Sequence, residues 1–234
     1  MGRWDGFLWS ADAPLDALAR VVDATFRDIE RYARTKRGTR TPPRLAAAVG
    51  VLLCAAPHAL DPDSDRFSVV AHALRKHDAG FDALDPEAAS ILRAIAAGHA
   101  KSLSPKRLDE AHPRHKTLGP LGARPCPSAL FAHPLSRAYA QKVAARAARA
   151  VERELTAFDE EYFYDDGVLG PLGLLAILEG WTLPRATLDG WKKRMSDRWN
   201  KALWESGEES DTAFMKAELW PRTEALFTLI APAS

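Results

Sequence analysis

Leu15, Leu18, Val22, Phe26 and Ile29 recur at spacings of three and four, and the same period governs nearly every segment outside residues 104–133. An α-helix turns once every 3.6 residues, so this spacing gathers apolar side chains on one face. No run alternates apolar and polar residues between hairpin turns, as a half-buried strand requires. The chain is therefore expected to be all-α, a multi-helix, bundle-like domain of about eight helices. With 234 residues, 47% of them hydrophobic and 27% charged, it can bury a core without disulfide staples.

Start and stop signals divide this pattern into elements. A first helix is predicted over 13–36, after Asp12 as cap. Its basic end continues as Arg31, Arg34, Lys36, Arg37, Arg40 and Arg44, where positive charge suits the carbonyl end of the helix dipole. Thr41, Pro42 and Pro43 open an apolar helix through Ala56, since proline is tolerated in a first turn. Phe67, Val70 and Leu74 mark a third helix over 65–77, and Asp85 with Pro86 opens a fourth that is predicted to run to about Leu103. Further helices are expected at 134–158, 171–181, 185–206 and 212–231, the last broken at Pro221. Between them, residues 104–133 hold five prolines and two glycines and lose the period. A stretch that long is functional, pinned by a ligand, or a linker. The reading is an N-terminal helical half (1–103), an irregular basic segment (104–133) and a C-terminal helical half (134–234).

Several classes are disfavoured. Cys54 and Cys126 are the only cysteines, too few for a secreted disulfide framework, and a cytoplasmic, reducing location is expected. Met1 to Leu15 lacks the basic and apolar regions of a signal peptide. The longest uncharged apolar run, Leu45 to Ala56, is shorter than the roughly 20 residues of a membrane span. The fingerprints G-x-x-x-x-G-K-S/T, G-x-G-x-x-G, G-x-S-x-G and H-E-x-x-H do not occur. Heavy use of Ala, Arg, Asp and Pro is typical of GC-rich bacterial genomes.

Charge is segregated although the net charge is only +1. Residues 101–150 carry ten Lys/Arg against two Asp/Glu, and residues 151–166 carry seven acidic residues against Arg153 alone. On the helix from Pro134, Lys142, Arg146, Arg149 and Arg153 form one narrow stripe, while Tyr139, Val143, Ala147, Val151 and Leu155 face the other way. This stripe, with Arg34, Arg37, Arg40, Arg185, Lys192 and Lys193, is the candidate surface for an acidic partner or nucleic acid. Asp159, Glu160, Glu161, Asp165 and Asp166 are the candidate surface for a basic partner.

Three constellations offer chemistry beside blander readings. His112, His115, Cys126 and His133 put four potential zinc donors in the irregular segment, although their spacing matches no zinc module, and loop histidines are ordinarily just solvated. Over Leu174 to Arg194, Ala176, Gly180, Thr187, Leu188 and Trp191 loosely resemble a helix-turn-helix, which would imply a recognition helix from Thr187; the turn is two residues longer than in that family. The plainer reading is two core helices joined by a proline-containing turn. Arg66 with His72, Arg93 with His99 and Arg107 with His112 have the R-x4-6-H spacing of the helical HEPN ribonucleases, about as often as chance would place it. His72 and His99 sit among apolar neighbours and read as core histidines. Trp191, Met195, Trp199 and Leu203 read as a core stripe, leaving Trp4, Trp9 and Trp204 as candidate docking anchors.

The expected function is that of an intracellular, non-enzymatic helical interaction protein, a subunit or adaptor of a larger assembly that docks to other protein subunits through charge and aromatic anchors. The alternatives are a nucleic-acid-binding protein and a helical enzyme with a zinc site or Arg/His ribonuclease chemistry.

Overall fold

The periodic segments become eight helices in the computed structural model, which describes residues 12–99, 126–156, 167–178, 181, 183–206 and 220–230. They are α1 (Asp12–Arg34), α2 (Thr41–Ala55), α3 (Phe67–His77), α4 (Pro86–Ala96), α5 (Pro134–Thr156), α6 (Leu169–Ile177), α7 (Arg185–Ser206) and α8 (Trp220–Ile230). Short 3-10 turns lie at Pro57–Leu60, Asp78–Ala83 and Ser128–Phe131. No strand occurs among the described residues.

The two helices with the fewest charges lie deepest. In α2, all residues from Leu45 to Leu52 are buried, with Pro42 and Pro43 in the first turn as expected. All nine residues of α6 are buried. α2 packs between α1 and α5, and α6 between α1, α5 and α8. Close approach at α2 depends on Gly50, where an added Cβ would stand 3.1 Å from carbons of both Leu130 and Phe131. Ser136 ties α5 to α2 by donating its hydroxyl to Pro43 O at 2.7 Å.

One continuous cluster of buried apolar residues extends from Leu18 to Ile230. The helices on either side of 104–133 therefore share a core. α1 and α3 also exchange cations at their carbonyl ends: Lys76 Nζ donates to Ala33 O at 2.8 Å, and Arg37 Nε donates to Lys76 O at 3.0 Å.

Three expectations need correction. α4 begins where Asp85 accepts from Glu87 N at 2.9 Å, but it stops at Ala96 instead of running to about 103. Gly98 takes the left-handed conformation (φ 81°), and the Gly98 and His99 amides close the end by donating to Ile95 O and Ala94 O. α6 ends at Ile177, with Leu178 extended. His72 and His99 are exposed, and the buried histidine among the described residues is His77, which shares the stripe of Val70 and Leu74 and bonds Tyr32 O through Nε2 at 3.0 Å. Pro221 is the second residue of the described α8, while 207–219, like 104–125, lies outside the described residues.

Candidate functional site at the seam of α1 and α5

Asp28 interrupts the buried face of α1, where its neighbours in helical phase are Thr25, Ile29 and Tyr32. An isolated carboxylate at 4% exposure would be strongly unfavourable. Its charge is met from two helices. Arg31 Nη2 donates to Oδ1 at 2.7 Å from the next turn of α1. From α5, Lys142 Nζ bridges Oδ1 and Oδ2 at 3.1 and 3.0 Å, Arg146 Nη1 donates to Oδ2 at 2.8 Å, and the Tyr139 hydroxyl donates to Oδ2 at 3.1 Å.

The pairing places Tyr139 beside the basic stripe, not opposite it. At 100° per residue Tyr139 and Arg146 are near neighbours two turns apart, so the apolar arc and the stripe adjoin. The aromatic rings extend the cluster: the Arg31 guanidinium lies 5.5 Å from the Tyr32 ring centre, and the Lys142 ammonium 5.7 Å from that of Tyr139.

Electrostatics follow from this crowding. Burial pushes the Asp28 carboxyl up, but hydrogen bonds and charge from Lys142 and Arg146 outweigh it and hold the group below its ordinary value. Burial, then the Asp28 charge, raises both tyrosines, Tyr139 far above the usual phenol range. Both therefore remain neutral donors at physiological pH. One carboxylate thus meets three cations, and Arg44 lies close enough for its charge to act on Tyr32. The seam is over-neutralised by two positive charges, with 61% of the Arg31 side chain and 44% of Lys142 still exposed.

The other basic candidates have varied settings. Arg149, Arg34 and Arg40 are exposed and form no ion pair among the described residues. Arg153 binds Glu154 at 3.0 Å, and the Arg37 guanidinium caps α3. On α7 every cation named has its own carboxylate: Arg185 with Asp189, Lys192 with Glu224, Lys193 with Asp197, and Arg194 with Glu152. Glu152 also accepts from the indole of the buried Trp191, and those two donors hold it below its ordinary value against the effect of burial.

The described part of the region that resembles a helix-turn-helix covers the end of α6 and the first turns of α7. α6 packs on α1, α5 and α8, α7 packs on α5 and α8, and Leu188 and Trp191 are buried. Of the R-x4-6-H pairs, Arg66 is held by Asp23 at 2.8 Å and lies over Phe26, while Arg93 is held by Asp78 and Asp82. Arg107, His112 and His115 lie outside the described residues, as do Asp159, Glu160, Glu161, Asp165 and Asp166. Cys126 is buried with Sγ 3.5 Å from Gly50 O, and His133 Nδ1 accepts from Leu135 N at 3.0 Å at the start of α5. Among the described residues no three His, Cys, Asp or Glu side chains are grouped to hold a metal.

Asp28 was not singled out by the sequence reading. Its signal was an acidic residue in the buried phase of an amphipathic helix, a position that demands a partner without naming one.

No family model matches this chain, and no curated protein or solved structure is similar enough to indicate kinship.

Proposed function

We propose that this chain is a helical docking subunit that receives an acidic segment of a protein partner on the face formed by the carbonyl end of α1 and the exposed edge of α5. The observation that carries the reading is the surplus of positive charge held on Asp28. A single arginine would suffice to neutralise a buried carboxylate. Three cations instead repel one another and leave exposed donors fixed in place, an arrangement that an external anion completes. Arg34 at the end of α1, Arg149 on α5 and Arg40 just before α2 are exposed and add positive charge.

The setting of the cations favours a protein partner over nucleic acid. A protein that tracks a phosphate backbone needs a row of uncommitted cations. Here Arg31, Lys142 and Arg146 converge on one point and do not form a row, and Arg185, Lys192, Lys193 and Arg194 of α7 each have their own carboxylate. Among the tryptophans, Trp191 is buried and Trp181 donates its indole N–H to Leu178 O at 3.0 Å, so neither acts as an exposed anchor. The candidate anchors Trp4 and Trp9 lie outside the described residues, and the docking reading rests on charge. Neither cysteine is in a disulfide and both are buried, which suits a reducing compartment, and no helix among the described residues is long and apolar enough to cross a membrane.

Fluorescence anisotropy with a labelled Glu/Asp-rich peptide and a labelled DNA duplex tests the reading. Peptide binding is expected to weaken with salt and to fall about tenfold in an Arg31→Gln, Lys142→Met double variant, with the duplex bound no tighter than the peptide. A duplex that binds more tightly, or peptide affinity unchanged in the double variant, overturns it.

A further inference from the structure

The donors and charges that meet at Asp28 narrow the ligand of this electropositive face. Arg31 gives Nη2 to Oδ1 and also meets the Tyr32 hydroxyl, and with five N–H donors on a guanidinium it keeps others for a ligand. Lys142 directs two contacts at the carboxylate and has a third donor. Both cations sit on the same Oδ1, so their heads lie within a few ångström of each other, and both side chains are substantially exposed. Arg146, at 18% exposure, forms the inner wall of the cluster. No other carboxylate among the described residues pairs with any of the three.

Three cations around one carboxylate leave a local surplus of two. A carboxylate ligand or a nucleic-acid phosphodiester brings one negative charge and leaves half of that surplus standing. A phosphate monoester brings about −1.5 to −2 near neutral pH, with three acceptor oxygens that can bridge a guanidinium and an ammonium. We infer that the open side of Arg31, Lys142 and Arg146 binds the phosphate monoester of a phosphorylated side chain on the partner protein. This rests on the docking reading and specifies its anchoring contact.

The protein source follows from shape. Small phosphate esters are ordinarily gripped in concave pockets. Three cavities, beside Phe131, His72 and Arg93, are lined by none of Arg31, Lys142 and Arg146, and the exposed heads of Arg31 and Lys142 open the Asp28 cluster to solvent. A phosphorylated residue arrives with its own chain, whose flanking acidic residues meet Arg34, Arg40 or Arg149.

The test uses the full chain and three labelled peptides that are identical and acidic except at one position, which is phosphoserine, Glu or Ser. At constant ionic strength and about pH 7.5, the phosphopeptide is expected to bind at least about tenfold more tightly than the Glu peptide, and inorganic phosphate is expected to compete for that advantage. The advantage should shrink at about pH 5.5, below the second phosphate pKa near 6. Arg31→Gln and Lys142→Met, at exposed positions compatible with folding, should each abolish the advantage while leaving residual binding of the Glu peptide. Equal binding of the phospho and Glu peptides overturns the inference but leaves the docking reading standing, whereas no binding of any peptide overturns both. Phosphate that competes without any phosphopeptide preference overturns the protein source.

Discussion

Lys142 and Arg146 on α5 converge with Arg31 on a single carboxylate, whereas Arg185, Lys192, Lys193 and Arg194 on α7 each meet one of their own. Both helices are rich in cations. On α7 the pairs are largely exposed, cancel locally, and are each worth about 0–1 kcal/mol. On α5 the shared anion is buried, so it orients its partners and cannot neutralise them all. The number of cations on a helix therefore says less about a binding surface than where the compensating carboxylates lie.

The largest effect that separates the two regions should come from an apolar residue. If α7 is held by the buried Trp191 and not by its ion pairs, Trp191→Ala should cost about 3–5 kcal/mol in urea unfolding. A loss under about 1 kcal/mol would mean that charge holds α7 after all.

Asp28→Asn should come next, at about 2–4 kcal/mol, because it removes the charge that three cations share. The Asp28 carboxyl in the folded protein lies below its ordinary value of 3.8. Its contribution is therefore complete above about pH 4 and disappears as pH falls through the depressed folded value. The stability gap between the parent and Asp28→Asn, followed by thermal melting, should be constant near neutrality and narrow in acid. A gap unchanged down to about pH 2 would contradict the ionised, cation-bound carboxylate.

Arg194→Gln should cost about 1 kcal/mol or less, because Glu152 is half-exposed and keeps the Trp191 indole. Arg185→Gln and Lys193→Gln, at exposed one-turn pairs, should change stability by less than about 0.5 kcal/mol and leave acidic-peptide binding unaltered. If either weakened that binding as much as Arg31→Gln, the distinction between the two helices would fail.

Much of the fold was legible along the chain. The run from Thr41, the cap at Asp85 with Pro86, the helix from Pro134 and the span 185–206 are set by neighbours within a few residues. The errors arose where a local signal was weighted wrongly or the answer was not local. Gly98 closes α4 in the left-handed conformation, although the apolar pattern continues past it to Leu103. His72 and His99 were assigned to the core from the hydrophobicity of their neighbours, whereas helical phase puts His77 on the buried stripe.

The candidate site was only half legible, since the cations were identified and the carboxylate that organises them was not. The sequence by itself determined the helices, because hydrogen bonding and the 3.6-residue period act within a few residues of chain. It also determined the total of charges on each helix. Only the tertiary structure decided which of those charges are cancelled, because a charge-assisted hydrogen bond forms within about 3 Å and residues 28 and 142 are brought together solely by the packing of α1 on α5.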